Sequence, residues 1–532
     1  MDTQNIILED AFCERSARGD SLKKRWFYKF FANVIGLGMS FITQAIIPRG
    51  LGPVSYGNFS FLSSFFGQAV SFFDMGTSTC FYTRLSQRPK ERELISFYLY
   101  FAGFVTLGIA IFVTLTMVTA TYPKFWPGQQ VFYIYLAAGC GVLTWAVQIL
   151  NNMADAYGVT VAAEKAKVLQ KALGVFIVVS LYVLHQINLA NYFYFQYVVL
   201  AFLIVSFIFI MKRGGYLPER SFGMPISKVK NYLKEFYDYS HPLVVYSIIG
   251  VIANIFDRWL LQVFGGSAQQ GFFGFSLQIS ALCFLFAGAL TPLLMREFSI
   301  SYAKKDLKEM GRLFQRHIPV LLFVTAFLTC FMASQTGKII RLMGGEKYSN
   351  SFWPLFIMAF YPIYQVYGQI CGSVFFAADK TKLYCNVGIF FLLAGIPATY
   401  LFIAPKAYFG LDSGATGLAI KTILMPILGV NVLLYLNAKI LRFSFRKYLF
   451  NQLSTTGLLL IGAFLASAAT NLILGNLAGN LPKLLLGGVF YTSLVAASVY
   501  FFPGIFAMRN DDINNIIQIG LDKLKKISGR RI

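Results

Sequence analysis

Four charged side chains lie inside long apolar stretches of this sequence: Asp74, Asp257, Arg258 and Lys421. Two more, Arg49 and Asp155, stand at the ends of such stretches. An ionised group at the centre of a membrane helix costs at least about 2.5–3.5 kcal/mol, so each must find a local partner or serve a cavity. Arg258 and Lys421, with Arg49, supply fixed cations. Guanidinium and ammonium groups bind phosphate oxygens by charge-assisted bonds, and a diphosphate suits a pocket that combines them. Asp74 and Asp257 supply carboxylates able to exchange a proton or hold a small cation. A structural role stands beside each chemical one. Asp257 and Arg258 form a local ion pair, or Arg258 snorkels to the interface, or both serve a cavity. Arg49 equally suits an interfacial anchor. Lys421, seven residues from its span end, has less room to snorkel.

Other chemistries have little support. Cys13, Cys80, Cys140, Cys283, Cys330, Cys371 and Cys385 are scattered singly without a CxxC pair. His185, His241 and His317 are equally dispersed, so neither a metal site nor a cofactor is expected. No G-x-x-x-x-G-K-[ST] motif is present, which argues against direct use of ATP.

The elements that position these groups are membrane helices. The 532 residues are 57% hydrophobic and 13% charged, about half the charge of a soluble domain. Crossing about 30 Å of hydrocarbon takes about 20 apolar residues. That spacing predicts an all-α fold of roughly fourteen spans, beginning with 27–47 and 57–80 and including 240–264 and 271–295. The formal charge of +23 would suggest nucleic acid in a soluble protein. Here it reports basic loops on the cytoplasmic face, and nucleic acid is not expected as a partner. Basic residues fill alternate loops, among them those holding Arg84, Arg88, Lys90 and Arg92, and Lys212 to Lys234. Both termini are therefore placed in the cytoplasm. The opposite loops are nearly free of basic residues, except for Lys338, Arg341 and Lys347.

An internal repeat is legible. Gly52, Gly57, Phe59 and Phe61 recur as Gly266, Gly271, Phe273 and Phe275, at an offset of 214 residues. Ala162-Ala163-Glu164-Lys165 recurs as Ala377-Ala378-Asp379-Lys380, at an offset of 215. Each match lies six spans from its partner, an even number, so two six-helix bundles of parallel topology are expected. The organisation read from this is a cytoplasmic tail over 1–26, a first bundle over 27–211, a basic cytoplasmic linker over 212–239, a second bundle over 240–436, two added spans over 437–503 and a basic tail over 504–532. Within that tail Ile513, Ile516, Ile517, Leu521, Leu524 and Ile527 fall at helical spacing, either as an interfacial helix or as a solvated one.

Several of these residues also carry a family resemblance. Arg49-Gly50-Leu51-Gly52-Pro53, followed by Tyr56-Gly57-Asn58-Phe59-Ser60-Phe61, resembles the RxLGPxxYGxFSF signature of bacterial polysaccharide-export proteins, the Wzx-type flippases. Asp74-Met75-Gly76 is similar to the D-x-G step after their second helix, and Asn254 with Asp257-Arg258 to their seventh-helix pattern. Gly344-Gly345 to Tyr348, and Asp379-Lys380, resemble motifs around their tenth helix. The chain departs from the common form in its two added helices and in Phe272 and Phe273, where tyrosine is usual.

The resemblance implies a MATE-like member of the multidrug/oligosaccharidyl-lipid/polysaccharide superfamily in the bacterial inner membrane, not an enzyme. Its implied activity is flipping an undecaprenyl-diphosphate-linked oligosaccharide, such as an O-antigen, capsule or exopolysaccharide unit, from inner to outer leaflet. The lipid-linked oligosaccharide and membrane lipids are its expected partners, with polysaccharide polymerase and glycosyltransferases as further candidates. A drug/cation antiporter or a peptidoglycan-precursor flippase of the same superfamily are the alternatives. Intramembrane cations favour an anionic cargo over a cationic drug.

Overall fold

The computed structural model of the chain describes residues 22–217, 225–475 and 479–506. Regular structure among them is entirely helical. The helices are α1 Leu22–Asp74, α2 Thr77–Gln87, α3 Arg92–Val118, α4 Tyr122–Phe125, α5 Val131–Ala156, α6 Thr160–Val183, α7 Leu189–Arg213 and α8 Ile226–Ala281. They continue as α9 Leu285–Ala303, α10 Leu307–Ser334, α11 Thr336–Met343, α12 Phe352–Met358, α13 Tyr361–Ala377, α14 Thr381–Ile403, α15 Gly414–Leu441, α16 Phe445–Leu474 and α17 Asn480–Phe501. Among the described residues eleven helices are long and apolar enough to cross a bilayer. Large apolar side chains such as Phe104, Phe176 and Leu472 lie exposed on their outer faces, a surface suited to lipid. The protein is a multi-pass membrane protein. The N-terminal tail before residue 22 and the amphipathic stretch 513–527 lie outside the described residues.

The chain forms two compact units. Unit 1 is Met1–Gly274 with Thr399–Gly410, and unit 2 is Phe275–Ala398 with Leu411–Ile532. Unit 1 packs around Phe61, Phe66, Tyr98, Trp126, Trp145 and Phe193. Unit 2 packs around Phe298, Phe314, Tyr367, Phe375 and Tyr491. Water supplies no hydrophobic drive between helices in a bilayer, so van der Waals contact and buried polar bonds must hold each unit.

The glycine repeat is a repeat of backbone geometry. α1 bends at Gly52 (φ 72°, ψ 169°) and α8 bends at Gly266 (φ 69°, ψ −174°). Both residues occupy a left-handed φ that side chains resist, which explains glycine at each. The segments just beyond the two bends pack together within unit 1. A Cβ on Gly57 would lie 1.7 Å from the Ser267 carbonyl oxygen, and one on Gly271 would lie 2.0 Å from the Pro53 carbonyl oxygen. Pro53 and Ser267 are themselves related by the offset of 214, so each glycine approaches the repeat-mate of the residue opposite its own mate.

The second sequence match does not correspond to shared structure. Residues 162–168 lie inside α6, whereas 377–383 cover the end of α13, a turn, and the start of α14. Glu164 is buried and bonded to Lys167 at 2.9 Å, but Asp379 is exposed in the turn with φ 54°. Small and basic residues recur at helix ends in membrane proteins for reasons of charge, which suffices for such a similarity.

The basic stretch 212–239 contains the start of α8 at Ile226. Its charges are matched there by the turn between α2 and α3. Lys228 bonds Glu93 at 2.6 Å, and Glu235 bonds Arg84 at 2.9 Å and also Arg88. Tyr232 donates to Glu91, and Phe236 packs on Phe97 and Tyr98. The Glu235 hydrogen bond holds the Arg88 guanidinium above its usual range. Glu235→Ala is expected to lower unfolding stability in detergent by about 1 kcal/mol, the scale of a partly exposed ion-pair network. The loss should shrink in high salt; a thermal melt unchanged at low salt would remove this clamp.

Candidate functional site: intramembrane charges and their partners

Arg258 sits one helical arm before the Gly266 bend and is 8% exposed, so it does not snorkel. Its Nη1 donates to Gln270 Oε1 at 2.9 Å, and its Nη2 donates to Ser60 Oγ at 2.9 Å. The guanidinium also lies over the Phe273 ring, 4.7 Å from its centroid. Gln270 is on the arm of α8 beyond the bend, and its amide returns a bond to the Arg258 carbonyl. Ser60 is on the arm of α1 beyond the Gly52 bend. One arginine thus links three helical arms at the place where Gly57 and Gly271 make their close approach. Two neutral groups solvate it, and neither cancels its charge. An anion entering here meets a buried guanidinium whose hydrogen-bond partners are neutral, exchangeable dipoles, with the Asp257 carboxylate next to it in the chain.

The neighbouring Asp257, also 8% exposed, accepts a 2.6 Å hydrogen bond from Thr399 Oγ1 in the last part of α14. Lys421 belongs to unit 2, in the first third of α15, and is 8% exposed. Gly395 of α14 makes room for it, since a Cβ there would lie 2.9 Å from Lys421 Cε and 3.3 Å from Nζ. Arg49 is exposed three residues before the Gly52 bend, and Asp379 and Lys380 are exposed in the turn before α14. Tyr56 is buried on the same arm as Ser60. Gly52 and Pro53 form the bend itself, so much of the family signature describes how α1 turns.

Asp74 ends α1. Met75 (φ 41°) and Gly76 (φ 87°) then reverse the backbone into α2. The Asp74 Oδ1 accepts from Ser78 N at 3.0 Å, Ser78 Oγ at 2.5 Å, Thr77 Oγ1 at 3.0 Å and Tyr98 OH at 3.1 Å. The D-x-G step is therefore a device that ends one helix and satisfies one free amide of the next, that of Ser78. A cavity of about 350 Å³ opens on the same carboxylate, lined also by Ser71, Thr79, Tyr82, Gln148 and Asn152. Among the described residues no cluster of three or more metal-type ligands is present.

Charge alone pointed to Arg258 in the sequence, but its partners did not stand out. Gln270 is fully buried and would have been found by asking which uncharged polar groups the apolar segments also carry, since an amide in lipid needs a partner as well.

Comparison with known proteins places this geometry. Residues 22–296 match the family described as "Polysaccharide biosynthesis protein". No curated protein sequence matches the chain. Among solved structures, the lipid II flippase MurJ in an inward closed conformation is similar at a TM-score of 0.63 and 15% identity, covering 90% of this chain and 99% of that one. An inward-facing multidrug resistance MATE family transporter of the MOP superfamily is similar at 0.57 and 16% identity, covering 77% and 96%. An outward-facing MATE structure gives 0.51 at 16% identity, covering 81% and 99%. At such identities these likenesses establish a shared fold.

Proposed function

The chain belongs to the polysaccharide biosynthesis protein family, and from that premise we propose that it is a flippase for an undecaprenyl-diphosphate-linked oligosaccharide, moving it from the inner to the outer leaflet by alternating access. The observation that carries this reading is Arg258, buried beside Asp257, whose guanidinium hydrogen bonds among the described residues go to the neutral Gln270 and Ser60. Such a cation suits a diphosphate and repels a cationic drug. Arg49 in unit 1 and Lys421 in unit 2 are further proposed phosphate ligands, each taken within its own unit. The two glycine-bent helices supply the moving parts, because a bend held at a single left-handed residue changes direction by rotating few torsions. The termini lie in the cytoplasm on this reading, where the synthetic enzymes load the carrier.

Energy is available without covalent chemistry. An anion leaving a negative interior gains about 2.3 kcal/mol per charge per 100 mV. Asp74, open to its cavity, and Asp257 are the proposed sites for any coupled proton or cation. The test is reconstitution into vesicles with a fluorescent polyprenyl-diphosphate saccharide added to one leaflet. Translocation is expected to quicken several-fold under a potential negative on the donor side. Equal rates for a lipid with an uncharged headgroup, or no movement of the diphosphate lipid, would exclude the proposal.

A further inference from the structure

A second basic site lies in unit 2. α11, the end of α16 and the start of α17 border an open cavity of about 440 Å³ lined by Lys338, Arg341, Asn471, Gly475, Asn480 and Lys483. Among the described residues no carboxylate lines it. Glu346, 85% exposed, stands 3.7 Å from Arg341 Nε. Lys338 and Lys483 are half-buried, and the Lys338 ammonium bonds Ser467 Oγ at 3.4 Å. Burial, and secondarily the nearby Lys483, hold the Lys338 ammonium below its usual range. α17 starts at Asn480 after Gly479, which gives no side-chain cap, so its first amides point their partial positive charge at the same end.

Three observations make this more than a solvated basic surface. Like charges are convergent here, a cost that a bound anion removes. By the alternation of loop charge this is the outer end of the helices, where basic residues oppose correct insertion and are normally sparse. Lys338 and Arg341 are the exception the sequence displayed. Below the cavity, fully buried Gln335 has neither amide atom hydrogen-bonded among the described residues. A Cβ on Gly487 would lie 3.3 Å from Gln335 Nε2 and 3.3 Å from Thr470 Oγ1. With Ser467, these groups make a polar seam running inward from Lys338 between α11, α16 and α17.

We infer that this cavity binds a phosphate or diphosphate group at the outer end of unit 2, and that the added pair α16 and α17 supplies half of it. The group belongs either to an anionic lipid headgroup or to a diphosphate arriving from the aqueous phase or on a cargo lipid. The chemistry is the same in both cases: ammonium, guanidinium and helix-start amides converging on phosphate oxygens.

Hydrogen–deuterium exchange on the full chain tests this, because it reports each site on its own peptides. Inorganic diphosphate added to protein in zwitterionic nanodiscs should protect 334–343 and 471–485. Lys338→Gln with Lys483→Gln should weaken that protection by about tenfold per lysine in half-saturating concentration. Asn480→Asp, which adds a carboxylate and removes no cation, should abolish it and so separates anion loss from misfolding. If an anionic headgroup is the natural occupant, phosphatidylglycerol nanodiscs protect the same peptides without added diphosphate. If the source is a free or cargo diphosphate, protection appears only on its addition. Protection in neither arm, or protection unchanged in both variants, overturns the site. Peptides around 254–262 and 418–425 report independently on the central cations, so failure here leaves the flippase reading untouched.

Discussion

Gly57→Val is expected to abolish transport while leaving membrane insertion intact, and Gly57→Ala to reduce transport more than about tenfold. A single methyl at Gly57 would sit 1.7 Å from the Ser267 carbonyl oxygen, 2.7 Å from Gly271 N and 2.8 Å from the Ser267 carbonyl carbon. All three are backbone atoms, so no flexible side chain can swing away, and the two helical arms must separate. Overpacking of this kind costs about 1–3 kcal/mol where a core can adjust, and more where backbone blocks it. The lost energy comes from one conformational state, the one in which the arms beyond the two bends are in contact. Alternating access requires that state to be populated, and a shift of about 3 kcal/mol lowers its population by more than a hundredfold. Gly271→Ala meets the Pro53 carbonyl oxygen at 2.0 Å and should behave alike. The double variant should cost less than both singles together, since either one already parts the arms. Flipping rates in vesicles and melting curves in detergent read both effects. Normal transport by Gly57→Val would show that the arms need not meet.

The repeat through Gly52 and Gly266 was legible because backbone geometry dictates it: only glycine takes that φ without strain, and only glycine lets Gly57 and Gly271 approach a carbonyl so closely. The Ala-Ala-acid-Lys match misled because it rests on charge and size, which many helix ends share. Glu164 and Asp379 therefore look equivalent in sequence and are not in structure. The apolar spans were legible for the same reason in the other direction, since lipid enforces about 20 apolar residues irrespective of packing. The stretch before 240 was harder. Lys228 and Lys234 look like linker residues, yet Tyr232, Glu235 and Phe236 turn one face of that helix toward the turn after α2. Glu93 and Glu235 are distant in sequence, and no local pattern reveals that they meet basic residues of another element. Asp74 shows a third kind of limit. Its charge in an apolar stretch drew attention to ion coupling, whereas the hydrogen bonds show a helix-starting role with a cavity beside it.

Arg258→Ala should reduce transport more than about a hundredfold, and Arg258→Lys should recover little of it. The guanidinium places two separate N–H groups on Gln270 and Ser60 while its flat face rests on Phe273. An ammonium has the charge but neither the fork nor the face, so it cannot keep both arms and still present donors to a phosphate. Two roles are entangled here, holding the arms and binding the cargo, and partner substitutions separate them. Gln270→Leu removes two holding bonds and Ser60→Ala one, and both leave the charge in place, at a cost of about 1–3 kcal/mol in stability. If Arg258 serves mainly as a brace, these variants should approach the Arg258→Ala defect and apparent affinity for the lipid diphosphate should stay constant in all of them. If it binds the cargo, as proposed, the partner variants should lose stability yet keep or tighten that affinity, because the guanidinium has fewer internal partners to surrender when phosphate arrives. Arg258→Ala should then stand alone in losing affinity, and the split between melting temperature and half-saturating lipid concentration decides which role dominates.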